Sequence, residues 1–337
     1  MKKNRVVIVG GGIAGMQAAV TLKELGAEPL ILEKGDRLGG KVTDWYKLFP
    51  TFTSSSEVVG PLTARVKDAW IDVRTGSEVE SISGGRVTLA DGENIKCDAV
   101  IVASGFKLFD ARRKEEYGYG IYDNVFTSVD IERMFHEGRI VTAQGETPRR
   151  LAFLHCVGSR DEKVGAHHCS KVCCITGVKQ AIEVREMLPD SEVYNFYMDI
   201  RMFGPGYEEL YREAQLKHNI HFIRGRISEA SQTIDGKVQI KAEDTLLGRP
   251  LKMTLDMLVL IVGMQAGAGN TSFAREGRLS LAPNGFMAVK DPFLGNTESQ
   301  VPGVFYAGAV TAPKNIGDSL NEAVTAAKKA VEYINSL

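Results

Sequence analysis

Four of the five cysteines lie between Cys156 and Cys174, near the middle of the chain, at the spacing C-x12-C-x3-C-C. Thiolates gathered so closely can bind an iron–sulfur cluster, hold a zinc ion or form redox disulfides. Cys173 and Cys174 fall where a helix is predicted to start, and the positive end of a helix favours the negative charge of a thiolate-ligated cluster. No thioredoxin-type C-x-x-C occurs. His155, His167 and His168 could serve zinc, but each also reads as an ordinary loop or strand-end residue. Cluster, zinc and thiol redox therefore all stay open on spacing. Cys97 has no cysteine neighbour in sequence and reads as a structural thiol. The second constellation is Gly10-x-Gly12-x-x-Gly15 followed by Glu33. Gly10 allows a tight turn, Gly12 lets the backbone approach a pyrophosphate, and Gly15 lets a helix lie close to a strand. Glu33 accepts hydrogen bonds from ribose hydroxyls and repels a 2′-phosphate.

The elements around these residues are legible. Arg5–Val9 is β-branched on both faces, as a buried parallel strand is. A helix is predicted from Ile13 to Leu25 with Gly26 past its end, then a strand from Pro29 to Glu33. Lys41 to Pro61 is turn-rich and shows no regular pattern. Ile71 to Ile82 is strand-like, a hairpin turns at Gly84-Gly85, and Ala99–Val102 leads to Ala103-Ser104-Gly105. A helix is predicted over 129–137, and Tyr117, Tyr119 and Tyr122 read as packing residues. Gly145–Arg150 looks like a linker, after which a second strand–turn–helix–strand unit begins. A nicotinamide-binding unit would place a second glycine fingerprint in its turn. Here the turn carries Cys156 and Cys169, and Cys173 and Cys174 open the helix. Further elements are a helix over 207–218, strands near 221–223, 238–241 and 251–254, a return strand over 256–264, and a final helix from about Ser319 to Ile334.

Two resemblances add to this reading. Glu33 followed by Gly39-Gly40, the Ala103-Ser104-Gly105 turn, and Gly303-Val304-Phe305 with Ala307-Gly308 before the last helix resemble the FAD-binding two-domain flavoproteins. Cys156-Val157-Gly158-Ser159-Arg160-Asp161, Cys169-Ser170-x-Val172-Cys173-Cys174, Lys179, Phe49-Pro50-Thr51 and Ala307-Gly308-Ala309-(x)3-Pro313-Lys314-(x)3-Asp318 resemble the A-type chain of heterodisulfide reductase (HdrA) over nearly the whole sequence. The resemblance implies an α/β, thioredoxin-reductase-like flavoprotein fold with a Rossmann-type FAD domain. It implies a discontinuous FAD domain over 1–148 and 270–337 and a second Rossmann-like domain over 149–269. It also implies a [4Fe–4S] cluster on Cys156, Cys169, Cys173 and Cys174 in place of NAD(P). FAD would be lined by Gly10, Gly12, Ala14, Gly15, Glu33, Lys34, Gly40, Lys41, Val79, Ala103, Ser104, Gly105, Gly308, Ala309, Lys314, Ile316 and Ser319. The N-terminus of the last helix would face the flavin, and no residue stands out as an acid, base or nucleophile.

Three departures qualify the resemblance. Against the larger methanogen proteins, which carry extra ferredoxin-like cysteine clusters and an N-terminal extension, a form with neither is expected. This chain carries Ser54 and Glu57 where they have cysteines after Phe-Pro-Thr. Ala309 stands where most of the wider superfamily has an aspartate. The compact form resembles the shorter versions found with sulfur-oxidising bacteria. The expected role is an electron-transfer component of a heterodisulfide-reductase-like complex in sulfur oxidation, a homodimer working with HdrB-like and HdrC-like subunits. A stand-alone NAD(P)H-dependent disulfide reductase using Cys173 and Cys174 is one alternative, and a zinc-stapled FAD-binding scaffold is another.

Composition bounds the rest. The 337 residues can bury one large core or two ordinary ones, and two are expected. At 44% hydrophobic, 25% charged and net charge -1, the chain offers no long-range attraction to nucleic acid. Met1–Arg5 and the apolar run behind it imitate a signal peptide, but Gly10-Gly11-Gly12 interrupts that run. No apolar stretch is long enough to span a bilayer, so a cytoplasmic protein is expected. There, clustered cysteines point to metal or redox chemistry rather than structural disulfides.

Overall fold

The computed structural model describes residues 4–83, 85–277 and 279–337. The charged opening Met1–Lys3 and Gly84 of the predicted hairpin lie outside them. Among the described residues the α-helices are α1 (Ile13–Glu24), α2 (Ser55–Asp68), α3 (Ser128–His136), α4 (Cys173–Met187), α5 (Tyr207–Leu216), α6 (Asn270–Gly277) and α7 (Ile316–Asn335). The chain divides into two compact units, one of residues 1–43, 55–107 and 265–337, the other of 44–54 and 108–264.

The first unit is built on a parallel sheet with strand order Val304–Tyr306, Ala99–Val102, Arg5–Val9, Glu28–Leu32, Asp72–Arg74. Its central strands are buried on both faces, as their unbroken Val/Ile/Leu runs dictate. An antiparallel meander of Val79–Ser83, Arg86–Leu89 and Asn94–Lys96 sits between the third and fourth strands in sequence. Helix α7 shows Ala323, Ala326, Ala327, Ala330 and Ile334 on its buried side, spacings that make one face. These small residues let it approach α1 closely, whose own interior side includes Ala14, Ala18 and Ala19.

The second unit repeats the plan. Its parallel sheet has the order Val125–Thr127, Met257–Val262, Arg150–Val157, Glu192–Tyr197, His221–Arg224. Again an antiparallel meander, Ile227–Gln232, Val238–Asp244 and Arg249–Leu255, is inserted between the third and fourth of the repeated strands. Period-2 alternation feeds two cores. Leu151, Phe153, Met257, Val259 and Ile261 face the helices, while Ala152, Leu154, Leu258 and Leu260 face the meander. Tyr117, Tyr119 and Tyr122 join the meander-side core, as packing residues.

Two expectations shift. The second unit takes residues 44–54 and 108–264 rather than 149–269, because Val125–Thr127 pairs in register with Leu258–Leu260 and α3 packs on α4. Helix α2, fourteen residues long with Pro61 inside it, begins within the stretch 41–61 that shows no regular pattern in sequence and runs on to Asp68. Its apolar positions Val59, Leu62 and Val66 are spaced as one helical face. Gly60-Pro61 breaks the pattern in sequence.

Candidate cofactor cradle and cysteine site

In the first unit the residues expected to line FAD converge at the C-terminal ends of the central strands. This is the crevice where ligands of open α/β sheets bind. Gly10 takes φ 108°, and a Cβ there would lie 2.5 Å from the Ala103 carbonyl oxygen, so both features demand glycine. At Gly15 a Cβ would lie 1.9 Å from the Gly10 carbonyl oxygen. Gly12 differs: beside it only Gly40 Cα comes as near as 4.0 Å, so the space its missing side chain leaves is open. The cradle thus fits a pyrophosphate laid against bare backbone at the start of α1.

Glu33 follows the second strand, and its carboxylate is held by the Gly11 N–H at 2.6 Å and the Gly35 N–H at 2.7 Å. Those bonds orient it and leave lone pairs for ribose hydroxyls. Lys34 is exposed beside it. Gly39 N–H bonds to Gly11 O, which lays Gly40 and Lys41 along the glycine turn. The Lys41 ammonium sits over the Phe106 ring at 5.7 Å. Ala103, Ser104 and Gly105 follow the fourth strand, with Ser104 exposed. Val79 packs its side chain into the unit's core, so only its main chain is free to meet a cofactor. Gly308 brings Ala14 and Ser319 together, since a Cβ on it would lie 2.9 Å from one and 3.6 Å from the other. Ala309 is buried behind it. Helix α7 begins at Ile316, capped by Asn315, whose side chain accepts from Asp318 N–H at 2.8 Å. Lys314 is no solvated surface lysine. Its ammonium donates to Gly308 O at 3.0 Å and pairs with Glu322 at 3.0 Å. Glu322 also accepts from Gly308 N–H, and burial pushes its carboxyl up against the pull of Lys314. Sequence reading missed Glu322, because it stands one helical turn beyond the motif.

In the second unit the turn after the first repeated strand runs from 158 to 172, against three residues in the first unit. The strand pairing is irregular between Leu154 and Val157, and Cys156 sits in that irregularity at φ 61°. A bulge re-aims a side chain in this way. Arg160 and Lys171 are also left-handed, at 55° and 65°. Non-glycine residues hold that conformation only where their surroundings enforce it. Ser159 and Ser170, both fully buried, supply part of the enforcement. Ser159 Oγ donates to His168 O and accepts from Ser170 N–H and Oγ, while Ser170 Oγ accepts from Met264 N–H at 2.8 Å. Asp161 closes the loop with a two-way backbone bridge to Ala166. Its buried carboxylate takes Lys114 at 2.8 Å and Arg226 at 3.4 Å.

Cys156, Cys173 and Cys174 are buried and Cys169 is half-buried, all as free thiols. Cys173 feels the charges of the other three, and Cys156 those of Cys169 and Cys174, so the four sulfurs are electrostatic neighbours. Among the described residues, no three or more His, Cys, Asp or Glu side chains converge as a ready-made metal site. Burial pushes the Cys156 thiol up to about 12, the neighbouring sulfurs add to the shift, and Arg160 and Arg226 oppose it. Burial raises Cys173 well above the usual thiol range. It raises Cys174 too, against the Arg201 N–H bonded to that sulfur at 3.4 Å. Lys171 N–H points to Cys169 Sγ at 3.3 Å. The first-turn N–H groups of α4 have no side-chain cap at Val172. A buried set of soft donors, met by N–H groups and arginines, fits an anionic metal–thiolate group.

Two of the three histidines weighed for zinc have other work. His155 is wholly buried, its Nε2 2.7 Å from Asn195 Oδ1, and burial pushes it down to about 4, so it is neutral. His168 Nε2 bonds to Met264 O. Cys97 packs against the first unit's core, with burial raising its thiol to about 12. No described helix is long and apolar enough to cross a membrane.

The pyridine nucleotide-disulphide oxidoreductase family model matches residues 1–132. The solved thioredoxin reductase of T. acidophilum superposes with TM-score 0.68 at 22% identity, covering 99% of each chain. That of Lactococcus lactis superposes with TM-score 0.70 at 18% identity, covering 99% of this chain and 100% of its own. The fold is therefore the two-domain fold of these thioredoxin reductases.

Curated proteins are similar to the chain over most of its length. The A-type chain of the H(2):CoB-CoM heterodisulfide,ferredoxin reductase of Methanothermobacter marburgensis is 31% identical over 97% of this chain. The A-type iron-sulfur chain of the CoB–CoM heterodisulfide reductase of Methanocaldococcus jannaschii is 32% identical over 95%. This protein spans 63% of the length of each. It is similar to these A-type chains of heterodisulfide reductase along that shared length.

Proposed function

We propose that this chain is an FAD- and [4Fe–4S]-containing electron-transfer component of a heterodisulfide-reductase-like complex. A flavin exchanges electrons in pairs or singly and the cluster exchanges them singly, so the two together link two-electron and one-electron chemistry. The observation that carries the reading is the replacement inside a repeated plan. Where the first unit offers bare glycine backbone after its first strand, the second offers Cys156, a fifteen-residue loop with Cys169, and Cys173 and Cys174 at the helix start.

Gly10, Gly12, Ala14 and Gly15 would hold the FAD pyrophosphate, Glu33 the ribose, and Ala103–Gly105, Gly308, Ala309, Lys314, Ile316 and Ser319 the flavin end. The N-terminus of α7 would stabilise negative charge on the reduced ring. The four cysteines would each release a proton on binding the cluster, against the burial that raises three of them, with Arg160, Arg201 and Arg226 compensating. HdrB-like and HdrC-like partners would carry out the sulfur chemistry, with this chain a homodimer in cytoplasmic sulfur oxidation. The relatives are named as components of heterodisulfide reductases, one as an iron-sulfur component, which supports the assignment.

Anaerobic stopped-flow mixing with NADH tests it. The proposal predicts no rapid stoichiometric bleaching of the flavin by the isolated chain. Bleaching of that kind would identify a stand-alone NADH-dependent reductase instead.

A further inference from the structure

In the first unit the acid that follows the second parallel strand, Glu33, is held by the Gly11 and Gly35 N–H groups. The acid in the corresponding place of the second unit is Asp199, just past Glu192–Tyr197, and it is occupied differently. Its carboxylate takes the Arg160 guanidinium at 2.7 Å, with Arg224 at 3.6 Å and Arg201 at 3.9 Å further out. Its backbone carbonyl accepts from Cys174 Sγ at 3.6 Å. Arg160 Nη2 makes the bond to Asp199, whereas Nη1 is buried with no hydrogen-bond partner among the described residues. An unpaired guanidinium nitrogen out of contact with water is costly. Its electrostatic neighbours besides Asp199 are Cys156 and Cys169. The left-handed backbone at Arg160 and its N–H bond to His168 O at 3.0 Å fix where the side chain starts.

We propose that Arg160 is the positioning residue that sets the potential of the cysteine-bound centre: Asp199 clamps one guanidinium nitrogen so that the other donates to the sulfur assembly. This rests on the [4Fe–4S] reading above. A cluster on four thiolates is a dianion that becomes a trianion when it takes one electron from a reductant. A fixed cation with a directed N–H stabilises the more negative state and raises the potential. Lysine has the charge but not the planar fork that spans an acid and a second acceptor. The ribose-site acid of the repeated fold thus keeps its carboxylate and changes its client.

The test is an anaerobic redox titration of the full reconstituted chain, followed by EPR, with iron, sulfide and flavin measured on each sample. Arg160→Gln should retain flavin and shift the cluster's one-electron equilibrium about tenfold or more toward the oxidised form, which is ~59 mV. Arg160→Lys should shift it less in the same direction. Asp199→Asn, which keeps the guanidinium and removes the opposing charge, should shift it the other way. If Arg160→Gln does not load iron, Arg160→Lys and Asp199→Asn decide. Potentials equal to the parent's in fully loaded variants would overturn this inference alone. A parent chain that binds no iron and sulfide would overturn it together with the cluster reading.

Discussion

A strand irregularity holds the Cys156 backbone in the left-handed region, and the first turn of α4 carries Cys173 and Cys174. Replacing any one by serine keeps the shape and removes a soft donor. Cys156→Ser and Cys173→Ser should each lose most of the iron while retaining stoichiometric FAD, measured by metal analysis and flavin absorbance. In the other unit Gly15→Ala forces a methyl to 1.9 Å from the Gly10 carbonyl oxygen. Overpacking of this order costs about 1–3 kcal/mol. The variant should melt several degrees lower and lose FAD on desalting. Both groups of residues were legible in sequence, because each lies within one contiguous stretch. Arg160 with Asp199, and Lys314 with Glu322, were not read as pairs. The fold alone joins strand-end positions thirty-nine residues apart or a loop to a helix.

At the scale of elements, α4 carries two of the cysteines at one end and a buried ionic group further along. Lys179 meets Glu132 of α3 at 2.6 Å and Glu183 at 2.8 Å, all three nearly inaccessible. Gln180 ties Glu132 to Ser128 O, and Tyr46 N–H donates to the second oxygen of Glu132. The helix is thereby locked in rotation and height. Burial and the charge of Glu132 push Glu183 up to about 8, with Lys179 and Lys47 pulling the other way. Because this folded value exceeds the unfolded 4.5, the native state keeps a proton that the unfolded chain gives up. Stability from this group is therefore greatest at low pH and falls as pH rises through about 4.5 to about 8, by at most about 1.4 kcal/mol per pH unit. Glu183→Gln should flatten that limb in thermal melts recorded across the range. An equal slope in both proteins would show that Glu183 does not hold the proton. Lys179 stood out only as part of a motif, and its partner Glu132 was invisible because α3 and α4 are far apart in sequence. The strand–helix order was plain from periodicity, whereas α2 was hidden by Gly60-Pro61.

The whole molecule is one plan used twice, a five-stranded parallel sheet with a meander inserted before the fourth repeated strand. The repetition could be glimpsed in sequence as two strand–turn–helix–strand runs. The boundary could not, since Val125–Thr127 joins the second sheet through register alone. The repeated plan carries glycines at this corner in one copy and cysteines in the other. The central claim is that this second corner carries a [4Fe–4S] cluster. Anaerobically purified or reconstituted chain, assayed for iron, acid-labile sulfide and flavin and examined by EPR after reduction, tests it most directly. About four irons and four sulfides per flavin are expected, with a reduced-cluster signal that is lost in Cys156→Ser. Flavin without iron or sulfide, or zinc in their place, with no such signal, would contradict it.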